Sequence, residues 1–196
     1  MPELPQLALA DADFVTPRLA VGGGLASDRD TARRQLNELV SAGITHIADL
    51  RLEWTDQEFV AHHAPAMHYL HHPVDDAGQV IPGEYFEELA VWARMAWREP
   101  HSRVLVHCHA GVNRGPSGAF ALLLDRGWAV LDALNAIRGA RPIAWIDYAD
   151  DAVAWWLGPT APRERLQELR DDIRHWRWDN QLGVNEAIRL LREADE

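Results

Sequence analysis

The apolar run Val104-Leu105-Val106 stops at His107-Cys108-His109-Ala110-Gly111-Val112-Asn113-Arg114, and a second apolar stretch, Pro116-Ser117-Gly118-Ala119-Phe120-Ala121-Leu122-Leu123-Leu124, follows almost at once. The first run has the length and character of a buried strand. The second, with a proline in its first turn, reads as a helix. Strand, short loop and helix in that order form the building unit of a parallel sheet. At such a loop the backbone N–H groups and the positive end of the helix dipole converge on one point, which suits an anion. A thiol in that setting is favoured as its thiolate. An arginine beside it offers a planar fork for two phosphate oxygens. Cys108 and Arg114, with five residues between them, put a nucleophile and an anion clamp on one loop.

The rest of the chain fits the same plan. Residues 18–22 predict a strand ending at Gly22-Gly23-Gly24, after a loosely ordered lead-in over residues 1–13. Asp28 or Asp30 caps a predicted helix over 29–42, with Leu36, Leu39 and Val40 facing inward and Gly43 as its stop. Ile44–Leu50 and Met67–His71 read as strands, and 55–62, 84–97, 130–138 and 148–157 as helices. Strands alternating with helices predict an α/β fold with a mostly parallel central sheet of four to five strands flanked by helices. The phosphate-sized loop then falls at the carboxyl end of its strand, where open sheets bind ligands. Gly158-Pro159-Thr160-Ala161-Pro162 marks a boundary, so residues 1–158 are expected as the catalytic domain and 159–196 as a C-terminal helical extension packed on it. The extension carries Leu166, Leu169, Ile173 and Trp176 on one helix and Val184, Ile188 and Leu191 on a second; contact with a partner or a second copy is its other reading.

Composition narrows the function. The net charge of −11 argues against nucleic acid and against adhesion to anionic membranes. No segment is apolar enough to span a membrane, and the N-terminus lacks a secretory pattern, so a cytoplasmic location is expected. One cysteine excludes an internal disulfide and fits a reducing compartment. All nineteen basic residues are arginine, which removes a Walker loop, a Schiff base and a lysine general base. His62, His63, His68, His71 and His72 cluster in sequence without structural-zinc spacing, and no metal or other cofactor is expected.

His107 to Arg114 resembles the signature HCxxGxxR of the cysteine-dependent protein tyrosine and dual-specificity phosphatases. Phe14–Gly23 is similar to the opening strand of dual-specificity members, Gly43–Arg51 to their next strand, and Asp75-Asp76 with Phe86 to their general-acid loop and following helix, so the likeness covers roughly residues 14–157. It implies Cys108 as nucleophile, Arg114 as phosphoryl clamp and an upstream aspartate as general acid. Counting back ten places from Phe86 favours Asp76, with Asp75 as the alternative. His109, Ala110, Gly111, Val112 and Asn113 are expected to line the cradle through their N–H groups, and His107 to lie behind the loop bonding backbone. His109 either points outward to read the substrate or is an exposed spectator. The implied reaction is hydrolysis of phosphotyrosine, with phosphoserine or phosphothreonine, in a protein or peptide, through a cysteinyl phosphate. A phosphoglycan, a phosphoinositide, and a non-catalytic phospho-reader stay as alternatives. One position departs from the family: Gly115 stands where a serine or threonine usually helps the cysteine leave, and Ser117, two places on, is the only nearby substitute.

Overall fold

The structure, a computed structural model, describes residues 4–181. Five strands, β1 (Ala12–Thr16), β2 (Leu19–Gly22), β3 (His46–Asp49), β4 (His68–His71) and β5 (Val104–His107), form one sheet in the order β1-β2-β5-β3-β4. Four of them run parallel; β1 folds back on β2 as an antiparallel edge. The alternation of strand and helix predicted this sheet. The resemblance gives Phe14–Gly23 as one opening strand; the structure divides it at the turn of Pro17 and Arg18 into β1 and β2.

The strand β5 is buried throughout, and its side chains alternate between the two faces. Val104 and Val106 belong to the larger core, built with α3 (Gly83–Ala96), α4 (Arg114–Asp125), α5 (Val130–Ala140) and α6 (Ala149–Leu157). Leu105 faces the smaller core, with Leu36 and Leu39 of α1 (Arg29–Ser41) and Val60 of α2 (Gln57–His63). Burial on both faces explains why β5 is a continuous apolar run rather than an alternating one. In register, His107 lies opposite Gly22 on one side and Asp49 on the other. Three neighbouring strands therefore end in one row, and the chain leaving each of them enters the same space.

Asp28 caps α1, accepting a hydrogen bond from the Thr31 N–H at 2.8 Å. Val40 does not face inward: it is 47% exposed, and Gln35 takes a buried place on that helix instead. The Gln35 side chain accepts from Ala26 N and donates to Leu9 O, so a polar residue satisfies two loops where an aliphatic one would satisfy none. The lead-in is also more ordered than expected. Glu38 accepts hydrogen bonds from the N–H groups of Ala8, Leu9 and Ala10 at 2.7–2.8 Å, and Leu4 and Leu7 pack on the smaller core. α4 begins at Arg114 rather than at Pro116, which sits within the first turn, where its missing N–H costs no helical bond.

Beyond Gly158, whose φ is 75°, the helix α7 (Arg163–Asp179) packs Leu169, Ile173 and Trp176 into the larger core. Trp176 Nε1 donates to Asn135 Oδ1 of α5 at 2.8 Å. The second tail helix expected around Val184, Ile188 and Leu191 lies outside the described residues. Among the described residues no helix is long and apolar enough to cross a membrane.

Gly118 is where α4 presses closest on the sheet. A Cβ there would lie 2.8 Å from Leu50 Cδ1 and 3.1 Å from both Leu89 Cδ2 and Val106 Cγ1. Gly118→Val is expected to destabilise the protein by about 1–3 kcal/mol through overpacking, measured as a lower midpoint of denaturant unfolding.

Candidate active site

Each carbonyl of the loop after β5 is held from outside. His109 O accepts from Gly24 N at 2.9 Å, Ala110 O from Arg141 Nη2 at 3.0 Å, Gly111 O from Arg141 Nε at 2.8 Å and Val112 O from Trp145 N at 2.7 Å. A peptide whose C=O is pulled outward turns the N–H on its far side inward. Among the described residues, the N–H groups of His109 to Asn113 meet no protein acceptor. Gly111 makes the bend with φ 62°, and a Cβ there would fall 2.5 Å from Gly22 C and 2.6 Å from two nitrogens of Arg141. Only glycine fits both the angle and the space.

Arg141, whose side chain is 4% exposed, is itself neutralised by Asp11 and Asp13 at 2.8 Å. This clamp was absent from the sequence reading. Its signal was the pair Asp11-x-Asp13 at the entry to the edge strand β1, with residues two apart on one face.

Cys108 is buried at the foot of the loop, and its N–H donates to Gly22 O at 3.3 Å. Arg114, buried at the start of α4, turns back over the same loop. Its Nη1 and Nη2 grip Glu53 Oε2 and Oε1 at 2.9 and 2.8 Å, and Nη1 also donates to Val74 O at 3.2 Å. Glu53 thus takes the end of the guanidinium and leaves the side edge, Nε with Nη2. Nε is buried with no hydrogen-bond partner among the described residues. Burial alone would pull the Arg114 guanidinium down. The hydrogen bonds that Arg114 donates to Glu53 and the charges of Cys108, Glu53 and Asp76 outweigh it and raise it. Glu53, which the sequence reading missed, is pulled down to about 2 by its hydrogen bonds to Arg114.

Asp76 reaches the same point from the loop before α3. Its Oδ2 lies 3.5 Å from Arg114 Nε; its Oδ1 accepts from Asn113 Nδ2 at 2.6 Å and from Tyr148 OH at 3.2 Å. Asp75 is turned away and accepts from the Asp76 N–H at 2.8 Å. Asn113 therefore brings its side chain, and not only its N–H, to the site. Ser117 Oγ donates to Asn113 Oδ1 at 3.2 Å and accepts from Tyr148 N at 3.3 Å. Those two bonds commit it to the network around Asn113. Gly115 is packed against the strand end, where a Cβ would come 3.2 Å from Cys108 N and from His107 C and Cα.

Behind the loop, His107 Nδ1 lies 3.2 Å from Cys108 O, an atom that can only accept, so Nδ1 carries the proton. Burial pushes His107 below the usual histidine value, although Asp49 Oδ1 at 3.7 Å opposes this. Asp49 is fully buried, with Arg51 Nε and Nη2 at 2.8 Å and Tyr69 OH at 2.6 Å. Arg51 also reaches Asp56 at 2.6 Å. At the rim, His109 is exposed and meets Trp54 edge-on at 5.0 Å; Trp54 is 49% exposed. The clustered histidines do not converge: His68 stacks on His46, His63 lies against Phe59, and His72 stacks on Tyr85.

No family model matches the chain. It is 29% identical over 138 residues to the mouse (Mus musculus) dual specificity protein phosphatase 13B, covering 69% of this chain and 67% of that protein. The chain spans between 60% and 67% of the length of the curated relatives it matches. In fold it is similar to the crystal structure of DUSP15, at TM-score 0.59 and 23% identity over 88% of this chain and 97% of that one. It is also similar to PTPMT1 in complex with PI(5)P, at TM-score 0.57 and 17% identity over 84% and 97%.

The Glu53–Arg114 pair yields a pH prediction with a definite sign. A carboxylate held lower in the folded state than in the unfolded one stabilises fully above its unfolded value and loses that effect as pH falls through the folded one. The melting-temperature difference between the wild type and Glu53→Gln is therefore expected to be constant above about pH 4.5 and to shrink between there and about pH 2. A difference that persists unchanged at pH 2 contradicts the pairing. Arg141→Met is expected to release the Ala110 and Gly111 carbonyls and to weaken orthovanadate binding at least about tenfold, read by isothermal titration.

Proposed function

We propose that this chain, which belongs to the cysteine-dependent protein tyrosine phosphatase superfamily and is dual-specificity phosphatase-like, hydrolyses phosphomonoesters through a cysteinyl phosphate, with Cys108 as nucleophile, Arg114 as clamp and Asp76 as general acid. The observation that carries the reading is the loop whose carbonyls are all engaged outside while Arg114, in electrostatic reach of Cys108, keeps Nε buried without a hydrogen-bond partner. Inward N–H groups and a free guanidinium edge together offer what a phosphoryl dianion requires, and they strengthen as negative charge spreads over its equatorial oxygens in the transition state.

In the first step Cys108 Sγ forms a bond to phosphorus as the ester P–O bond breaks, and the proton of Asp76 passes to the departing oxygen. In the second, water attacks the phosphocysteine, Asp76 takes a proton from it, and the S–P bond breaks to return the thiolate and inorganic phosphate. His107, neutral and spent on the Cys108 carbonyl, orients the loop and takes no proton. Glu53 keeps Arg114 aimed, because an unpaired guanidinium at this site has several rotamers open to it.

For the substrate we favour phosphotyrosine in a protein or peptide. Trp54 and His109 form an exposed aromatic edge to the site. The neighbouring exposed charges are Glu53, Asp75, Asp76 and Asp147, while Arg51 and Arg141 are held by carboxylates and Arg114 gives one edge to Glu53. Such a rim suits an aryl ester with neutral or basic flanks, not a headgroup bearing further phosphates. A cytoplasmic setting fits the single free cysteine.

The test is release of p-nitrophenol from its phosphate by the wild type, Cys108→Ser, Arg114→Lys and Asp76→Asn. Turnover abolished by Cys108→Ser, reduced by at least about 100-fold in Arg114→Lys and in Asp76→Asn, is expected. Phosphopeptide binding without turnover by the wild type overturns the enzyme in favour of a reader. A panel of phosphotyrosine peptides and phosphoinositides checks the substrate class; faster turnover of the lipids overturns the protein reading. With Gly115 lacking a hydroxyl and Ser117 committed elsewhere, breakdown of the phosphocysteine is expected to limit the rate. Rapid-quench kinetics should then show a burst of nitrophenol near one per enzyme, and strictly linear release contradicts it.

A further inference from the structure

The helix α7 lies past the point where the likeness to dual-specificity phosphatases ends in the sequence, yet it reaches the site. Arg177 Nη2 donates to Asp147 O at 2.7 Å and to Ile146 O at 3.1 Å, while Nη1 donates to Asp150 Oδ2 at 2.7 Å. Ile146 is the sole non-glycine residue with positive φ among the described residues, at 57°. A β-branched residue avoids that region, because its Cβ crowds the following carbonyl. Here the buried Ile146 side chain, the Trp145 N–H on Val112 O and the Arg177 fork on two successive carbonyls hold the turn in place. Strain kept by surrounding contacts is a recurrent feature of functional turns.

The strained turn aims the Asp147 N–H at Asn113 Oδ1, 2.7 Å away. With Ser117 Oγ on the same oxygen, the amide has only one orientation open to it. Its nitrogen must face Asp76, and it donates to Oδ1 at 2.6 Å. The next residue in the chain, Tyr148, sends its hydroxyl to the same Oδ1 and accepts from Gly78 N at 3.3 Å. Ile81 N is held by Asp151 Oδ2 of α6 at 2.9 Å, so the acid loop is pinned beyond Asp76 as well. The Asn113 donor on Oδ1, with the Tyr148 hydroxyl beside it and also within reach of Asp75 O and Gln79 Oε1, leaves Oδ2, which faces Arg114 Nε, as the oxygen that carries the transferable proton.

We propose that Arg177 is a positioning residue for the general acid: it holds the Ile146–Asp147 turn, which orients Asn113 and Tyr148, which together fix Asp76 over the phosphoryl site. This gives the C-terminal extension a part in catalysis, and it rests on the reading of Asp76 as general acid. The contact path is continuous from α7 to Asp76 through Asp147 and Asn113, with every hydrogen bond at 2.6–2.7 Å. A residue that only stabilised the fold would affect all substrates and both steps alike. One that positions the acid affects the step in which the leaving oxygen needs a proton.

The experiment is measurement of kcat/KM, which reports steps up to release of the leaving group, for the full chain with phenyl phosphate, whose phenoxide leaves poorly, and p-nitrophenyl phosphate, whose leaving group needs less help. Arg177→Met, Asn113→Ala and Tyr148→Phe are made in the wild type and in Asp76→Asn. Arg177→Lys keeps the charge and the packing but not the two-carbonyl fork, and serves if Arg177→Met fails to fold, as thermal unfolding will show. In the wild-type background kcat/KM on phenyl phosphate is expected to fall by up to about 100-fold for Asn113→Ala and by roughly tenfold for the Arg177 variants. The loss on p-nitrophenyl phosphate should be smaller, and the basic limb of the kcat/KM profile should flatten as is expected for Asp76→Asn. In the Asp76→Asn background the same substitutions should cost almost nothing further. Equal losses in both backgrounds, or equal losses on both substrates, overturn the brace alone. An Asp76→Asn protein with wild-type kcat/KM on phenyl phosphate overturns the general-acid assignment and the brace with it.

Discussion

The fork of Arg141 on the carbonyls of Ala110 and Gly111 is the contact on which the site depends. A short loop between a strand and a helix does not turn its amides inward unaided. It does so here because four successive carbonyls are drawn outward by donors from other parts of the chain. Two of those four bonds come from one guanidinium. Its charge would be costly at that depth without Asp11 and Asp13, since removing one partner of a buried ion pair costs about 3–5 kcal/mol. The same device appears twice more around the loop, with Arg51 held by Asp49 and Asp56 and Arg114 by Glu53. A chain of net charge −11 thus surrounds one loop with three arginines, each with its own counter-charge. The local field at the cradle, not the overall charge, governs what binds there.

The three arginines are spent differently. Arg141 divides its donors between two loop carbonyls and the carboxylates of Asp11 and Asp13, and Arg51 gives its own to Asp49 and Asp56 and leaves Nη1 buried without a hydrogen-bond partner. Arg114 gives one edge to Glu53 and keeps Nε free in a buried setting. An unmet donor in a folded interior is costly unless something meets it during function. Asp76 approaches that edge at 3.5 Å, the contact on which the proposed general-acid role rests.

Local pattern carried much of this. The apolar run of β5, the small-residue helix after it and the cysteine–arginine spacing are local, and the strand–helix alternation placed the loop at the carboxyl end of the sheet. Spacing also favoured Asp76 over Asp75 as the expected acid, and the two carboxylates have different partners, the Asp76 N–H for Asp75 and Asn113 Nδ2 for Asp76. What pattern did not carry are contacts between residues far apart in the chain. Glu53 lies 61 positions from Arg114, Arg141 lies 30 from Gly111, and Asn113 lies 37 from Asp76. Charged residues at loop ends look like solvated surface until the fold closes over them. Val40 failed for the opposite reason: helical periodicity marked it as inward, but α1 is rotated so that Gln35 serves the neighbouring loops. The Ile146 turn had no sequence signal at all, since a β-branched residue argues against the conformation it adopts.

The central claim is that Cys108 becomes phosphorylated inside this ring of amides. Intact-mass and peptide mass spectrometry of the protein acid-quenched during turnover of p-nitrophenyl phosphate tests it most directly. A phosphate adduct confined to the peptide that contains Cys108, and absent from Cys108→Ser, is the result the account predicts. Sustained turnover with no adduct on Cys108, or with the phosphate on another residue, would contradict it.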